Sequence, residues 1–213
     1  MLTKRVGVDE SGKGDYFGYL VVACVYVDEE TEAELKKLRV KDSKLLSDYA
    51  IKEYAKRVKK LCPYEIVKIS PDKYNVLQKK FRNLNKLLAW SHARAIENML
   101  EKQSCDVIIS DRFSKQGIKD FLLKKGRKAK LVQKINAEKD VAVAAASVIA
   151  RDEFLRTLRR LSYDIGYKLP KGASDVEDAA RRLVEKYGPE ILPRIAKMHF
   201  KITKRILKDV EKK

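Results

Sequence analysis

A short apolar run that leads straight into two adjacent carboxylates and a glycine loop constrains this chain more than any other stretch: Val6-Gly7-Val8-Asp9-Glu10-Ser11-Gly12-Lys13-Gly14-Asp15-Tyr16-Phe17-Gly18. The run reads as a buried strand and the glycines as a tight turn at its end. Adjacent acids repel one another. A fold that brings both to a strand end is eased by a cation there, and hard divalent ions such as Mg²⁺ take oxygen ligands of this kind. A turn between two strands explains the glycines but does not require the acids.

The remainder of the chain is basic. Lys and Arg number 48 against 30 Asp and Glu, a net charge of +18 spread along 213 residues, with a pI near 9.7. Nucleic acid is the partner such a surface favours, and its affinity is expected to fall steeply with salt. A carboxylate cluster within a cationic surface suits an enzyme that cuts a phosphodiester backbone. The length fits one domain, and the 45% hydrophobic content is enough to fill a core. No stretch is apolar for long enough to span a bilayer, and Met1 to Arg5 leads into a strand rather than a signal peptide. Cys24, Cys62 and Cys105 are odd in number and far apart, with no CxxC pair. Reduced thiols and a cytoplasmic location follow as expectations.

The pattern along the chain is that of an α/β protein. Strands are expected at Lys4 to Asp9, Tyr19 to Val27, Tyr64 to Ile69, Asp106 to Ser110 and Ala129 to Gln133. Helices are expected after Asp28 to about Leu38, from Asp48 to Leu61, and from Ser70-Pro71-Asp72 to about Lys102 with a break near Asn83. Gly117 to Lys124 reads as a short helix. Val141 to Ala150 reads as a helix of small residues buried all round, gaining charges through Arg160. Two or three basic amphipathic helices follow Gly172, so residues 1–213 form a single α/β domain with C-terminal helices from about 174.

Two familiar glycine loops are excluded. A phosphate-binding P-loop needs Ser or Thr where Gly14 stands, and a dinucleotide fingerprint needs glycine where Phe17 stands. Asp111 ends a strand and could join Asp9 and Glu10 if their strands are neighbours, although a turn residue explains it about as well alone. Glu138, just before the alanine-rich helix, is explained by the helix dipole when taken by itself. For Lys13, Lys44 and Lys171 a solvated surface charge competes with a phosphate contact. For Tyr16 and Phe17 stacking on a sugar or base competes with core packing, which is the better account of Phe17. His92 and His199, the two histidines, read better as structural hydrogen-bonding groups than as catalysts.

At these residues the chain resembles the type 2 ribonucleases H, and the ribonuclease HIII branch more than the HII branch. Asp9-Glu10-Ser11-Gly12-Lys13-Gly14-Asp15-Tyr16-Phe17-Gly18 is similar to the HIII opening, where HII enzymes carry Glu-Ala-Gly-Arg-Gly. Lys41-Asp42-Ser43-Lys44 is similar to the family's Asp-Ser-Lys element, and Ala137-Glu138 ahead of Ala144-Ala145-Ala146-Ser147 falls where the family places its last acid. Lys171-Gly172-Ala173-Ser174 and His199-Phe200-Lys201 extend the likeness. HII enzymes carry Asp at the last acidic position, so Glu138 points to HIII. HIII proteins usually have a further N-terminal domain similar to the TATA-binding protein, whereas this sequence begins at the first catalytic strand. Hybrid binding is then expected to rely on the catalytic domain and its basic C-terminal helices.

The resemblance implies a ribonuclease H-like mixed five-stranded sheet flanked by helices, with a helical C-terminal region. It implies catalytic, metal-holding acids at Asp9, Glu10, Asp111 and Glu138, two Mg²⁺ or Mn²⁺ ions, and nucleic-acid contacts from Gly12, Lys13, Gly14, Tyr16, Ser43, Lys44 and Lys171. The expected substrate is an RNA/DNA hybrid, cut endonucleolytically in its RNA strand by a monomer to leave 5′-phosphate and 3′-hydroxyl ends. Three alternatives remain: HII-like cutting at a single embedded ribonucleotide, another metal nuclease such as a junction resolvase, and a non-catalytic nucleic-acid-binding protein of the same fold. Lys13 in place of the HII arginine, a flexible point charge instead of a rigid fork, favours runs of ribonucleotides over a lone one.

Overall fold

Hydrophobic strands surrounded by amphipathic helices assemble, in a computed structural model, around a five-stranded mixed sheet of order β3-β2-β1-β4-β5. Residues 4–38, 46–111 and 117–210 are described. The strands are β1 (Arg5–Ser11), β2 (Leu20–Val27), β3 (Tyr64–Ile69), β4 (Val107–Asp111) and β5 (Lys130–Lys134). β1 pairs antiparallel with β2 and parallel with β4, and β4 pairs parallel with β5. Every residue of β2 is buried, as a near-continuous apolar run with a partner on each side requires.

The helices are α1 (Glu29–Lys37), α2 (Asp48–Leu61), α3 (Pro71–Phe81), α4 (Leu84–Leu100), α5 (Val141–Asp164), α6 (Glu177–Tyr187), α7 (Leu192–Ile195) and α8 (Lys201–Val210). Their ends follow local chemistry. Asp28 and Thr31 form a reciprocal capping box at α1, and the Ser47 hydroxyl accepts from Ala50 N at 3.2 Å to open α2. The break expected near Asn83 is real: Arg82 turns left-handed at φ 51°, and the Asn83 side chain accepts from the amides of Asn85 and Lys86. Gly117 leads into a single 3₁₀ turn (Ile118–Phe121), and a second 3₁₀ turn (Ala137–Lys139) precedes α5. α5 continues to Asp164, beyond the Arg160 limit read from the sequence.

The described residues gather into two compact units, while the sequence reads as one domain. The first holds the chain to Ser11, Val21–Val67 and Asn83–Glu153; the second holds Gly12–Leu20, Lys68–Arg82 and the chain from Phe154 on. In the first, Val6, Val8, Val22, Cys24 and Ile108 of the sheet pack with Ala93, Ile96 and Met99 of α4. Successive strand residues face opposite sides, so Gly7 meets α5 instead. In the second, Tyr16, Phe17 and Tyr74 are fully buried, with the Tyr16 ring edge-on to Phe17 at 4.7 Å and to Phe200 at 5.8 Å. Among the described residues no helix is long and apolar enough to cross a membrane.

The small residues of α5 have a use that Gly7 makes explicit. A Cβ at residue 7 would lie 2.2 Å from Ala142 C and 2.3 Å from Val143 N, both backbone atoms that cannot swing aside. Strand and helix backbones therefore approach as closely as a glycine permits. Gly7→Ala is expected to lower stability by about 3 kcal/mol through overpacking, read as a drop in the urea midpoint at unchanged m-value.

Candidate active site

The parallel register of β1 and β4 decides which acids become neighbours. Arg5, Val6, Gly7 and Val8 lie opposite Val107, Ile108, Ile109 and Ser110, so the next residue of each strand is Asp9 and Asp111. Adjacent strands are about 4.8 Å apart, and residues opposite one another project to the same side. Asp9 thus shares its face with Gly7, the face covered by α5, and Asp111 shares it with Ile109. Ile109 packs with Ala137 and Val143, which puts the turn carrying Glu138 on that face too. Asp9, Asp111 and Glu138, all half-buried, belong to one side of the sheet.

Glu10 belongs to the other side. Its carboxylate stands 3.0 Å from Nε2 of His92 on α4, and Nδ1 of that ring lies 3.4 Å from the Ser110 hydroxyl. The His92 side chain is fully buried and that of Glu10 is 8% exposed. The pleat turns the two adjacent carboxylates to opposite faces, and a histidine beneath the sheet meets the second one. Asp9 is steadied locally, its Oδ1 accepting from Glu10 N at 2.8 Å.

Among the described residues no three His, Cys, Asp or Glu side chains converge closely enough to hold a metal ion. The donor chemistry nevertheless suits one: Asp9, Asp111 and Glu138 are hard oxygen donors, partly open to solvent, on one face. The turn bearing Glu138 is firmly anchored. Asp140 accepts from Ala142 N at 2.9 Å, capping α5, and from Arg5 Nε at 3.1 Å, while Arg5 Nη1 donates to Glu32 at 2.7 Å. Hydrogen bonds from Arg5 and then Lys36 hold the Glu32 carboxyl down at about 2. The start of β1 is tied in this way to the turn that carries Glu138.

Two residues of this region escaped the sequence reading. Lys134 lies directly opposite Asp111 in the β4/β5 register, an exposed cation beside the acid. Nothing local distinguishes it from the other 47 basic residues, since only strand pairing brings it there. Ser110 was passed over because a serine before an aspartate carries no signal until His92 is set against it.

The loop residues Gly12–Leu20, in the second unit, divide sharply. Gly12 has φ +86°, and a Cβ there would sit 2.1 Å from Tyr19 O, so its glycine serves the fold. Gly14 has no such reason: among the described residues beyond its two chain neighbours no atom lies within 4 Å of where its Cβ would be. Lys13 is half-buried and Lys171 exposed. Tyr16 is a correction. Its ring is sealed in the core of the unit, so it offers no face for stacking on a base. Phe17 is buried as expected. His199 sits by the Tyr74 hydroxyl at 3.4 Å, a structural contact. Ser43 and Lys44 lie outside the described residues.

The order of this mixed sheet, its flanking helices and its helical C-terminal region define the ribonuclease H-like fold. The family model for ribonuclease HII matches residues 6–203. The chain is 45% identical to ribonuclease HIII of Protochlamydia amoebophila over 213 residues, 99% of this chain and 71% of that protein. It is 44% identical to ribonuclease HIII of Chlamydia felis over 205 residues, 94% of this chain and 68% of that protein. The crystal structure of Bst-RNase HIII in complex with Mn²⁺ superposes with a TM-score of 0.89 at 34% identity, covering 99% of this chain and 71% of that one. The chain belongs to the type 2 ribonuclease H family and is closely related to its ribonuclease HIII members. That family is one of enzymes, endoribonucleases that act on RNA/DNA hybrids by a two-metal-ion mechanism.

The Glu10–His92 contact is testable through stability. His92→Leu leaves a nearly buried carboxylate without that hydrogen bond and is expected to cost about 2 kcal/mol. In a double-mutant cycle of urea unfolding, Glu10→Gln should then cost less in the His92→Leu background than in the parent.

Proposed function

We propose that this chain cuts the RNA strand of RNA/DNA hybrids endonucleolytically, leaving 5′-phosphate and 3′-hydroxyl ends, with Asp9, Glu10, Asp111 and Glu138 as the carboxylates that would hold two divalent ions, Mg²⁺ or Mn²⁺. The observation that carries this reading is the β1/β4 register, which brings Asp9 beside Asp111 at the ends of two central strands. Such strand ends are where open α/β sheets gather their ligands. Bound divalent ions supply a Lewis acid for the scissile phosphate and lower the pKa of attacking water. Glu10, the second acid of that set, also meets His92 through Oε2, a contact that would fix the end of β1 and so aim Asp9.

The remaining residues bind and orient the substrate. The side-chain-free backbone at Gly14 leaves room for a ribose, whose 2′-hydroxyl separates RNA from DNA. Lys13 and Lys171 meet phosphates, Lys134 offers a further cation beside Asp111, and Ser43 and Lys44 join them on the strength of the family likeness alone. The family match runs through both compact units, which supports one catalytic domain over residues 1–213. Cys24, Cys62 and Cys105 are free thiols, in keeping with a monomer working in the cytoplasm.

Asp111→Asn tests the centre. Cleavage of labelled hybrid with Mg²⁺ or Mn²⁺ should fall by about 10²-fold or more, while hybrid binding and the thermal midpoint without metal hold or rise, since one of several like charges is gone. Full activity in this variant would remove Asp111 from the site. The second test separates HIII-like from HII-like action. Because Lys13 stands where HII enzymes carry arginine, a block of several ribonucleotides in duplex DNA should be cut faster than a single one. Equal or faster cutting of the single ribonucleotide moves the reading to the HII-like alternative.

A further inference from the structure

Lys197 has a placement that a surface-charge account of the basic residues does not cover. Its side chain is fully buried in the second unit. The ammonium donates to the carbonyl oxygens of Asp15 at 2.9 Å and Gly18 at 2.7 Å, and lies 5.7 Å from the centre of the Tyr74 ring. Its own backbone amide donates to Tyr16 O at 2.9 Å, and Gly18 N donates to Ile195 O at 2.9 Å. The loop that begins Gly12-Lys13-Gly14 is thus gripped from Asp15 to Gly18 by the segment around Lys197.

The grip extends to a second loop. Gly172 N donates to Asp15 Oδ1 at 2.8 Å, and Tyr16 N donates to Gly172 O at 2.8 Å. Lys171, the residue before, is therefore tied to the same framework as Lys13. The clamp itself is braced by α3: Asn75 Nδ2 donates to Pro193 O and Ala196 O, and Asn75 Oδ1 accepts from Met198 N. Burial is costly for an ammonium whose hydrogen bonds go to neutral carbonyls, and a lysine at such a site contributes through what it holds. Desolvation lowers its pKa to about 7, with the Asp15 charge opposing, and His199 and Tyr74 are the other titratable neighbours.

We propose that Lys197 is a positioning residue for substrate: it locks the Gly12–Leu20 loop and, through Asp15, the Lys171–Gly172 turn into one element, so that Lys13, Gly14 and Lys171 meet the hybrid in a fixed arrangement. This rests on the assignment of those loops to hybrid binding.

The experiment compares the parent chain, Lys197→Met and Asp15→Asn, using a labelled RNA/DNA hybrid. Hybrid affinity is measured without divalent ions at several salt concentrations, and kcat and KM are measured with Mn²⁺. Parent protein that neither binds nor cuts the hybrid defeats the functional reading itself, before any variant is considered. With an active parent, folded Lys197→Met should show KM and Kd raised about tenfold, kcat changed less than about threefold, and the slope of log affinity against log salt reduced by about 1 to 2 as Lys13 and Lys171 lose their register. Asp15→Asn keeps the ammonium and weakens the tie to Gly172, so KM should rise about threefold. Parental KM, affinity and salt slope in folded Lys197→Met would overturn the proposal, as would a fall in kcat alone. Should Lys197→Met fail to fold, parental KM and salt slope in Asp15→Asn would overturn it.

Discussion

The candidate centre depends on one backbone arrangement, the parallel pairing of β1 with β4 in the register Val8 to Ser110. Strand residues alternate faces, so a slip of one residue would send Asp9 and Asp111 to opposite sides. Gly7 helps to hold the arrangement by letting the α5 backbone rest on the strand at a distance no side chain allows. The same contact brings the start of α5, and with it the turn of Glu138, over the face that Asp9 occupies. Packing and chemistry are therefore set by a single interlock of strand, helix and glycine.

Charge is handled separately on the two faces. Under the sheet, the Glu10 carboxylate meets a buried histidine that also contacts Ser110, while Asp9, Asp111 and Glu138 belong to the face that α5 covers. At the other end of β1, Arg5 joins Glu32 and Asp140 in a nearly buried ion pair network and fixes the cap of α5. Breaking such a pair exposes an uncompensated charge, which makes it a firm anchor for the turn above it. The surface lysines need no equivalent: their role toward a polyanion is additive and screened by salt.

The loop of the second unit shows one residue type used for two purposes. Gly12 is required by its own backbone, with a positive φ and a carbonyl where a side chain would go. Gly14 is exposed, and among the described residues beyond its chain neighbours no atom lies within 4 Å of where a side chain would begin. Tyr16, two residues further along the same motif, is a core ring. The motif thus divides into buried positions, Gly12 and Tyr16 to Gly18, and the more accessible pair Lys13 and Gly14.

The sequence by itself determined the fold class, the order and approximate limits of the strands, the helix break at Asn83 and the family, and it nominated the four candidate acids. These rest on signals carried within short windows: apolar runs, caps, glycine turns and motif spacing. Only the tertiary structure decided that Glu10 turns to His92, that Lys134 lies beside Asp111, that the Tyr16 ring is buried and that Lys197 grips the glycine loop. Each of those depends on which distant segments share a sheet register or a packed interface. Local pattern does not encode that pairing, because face and neighbour are set by contacts between residues far apart in the chain.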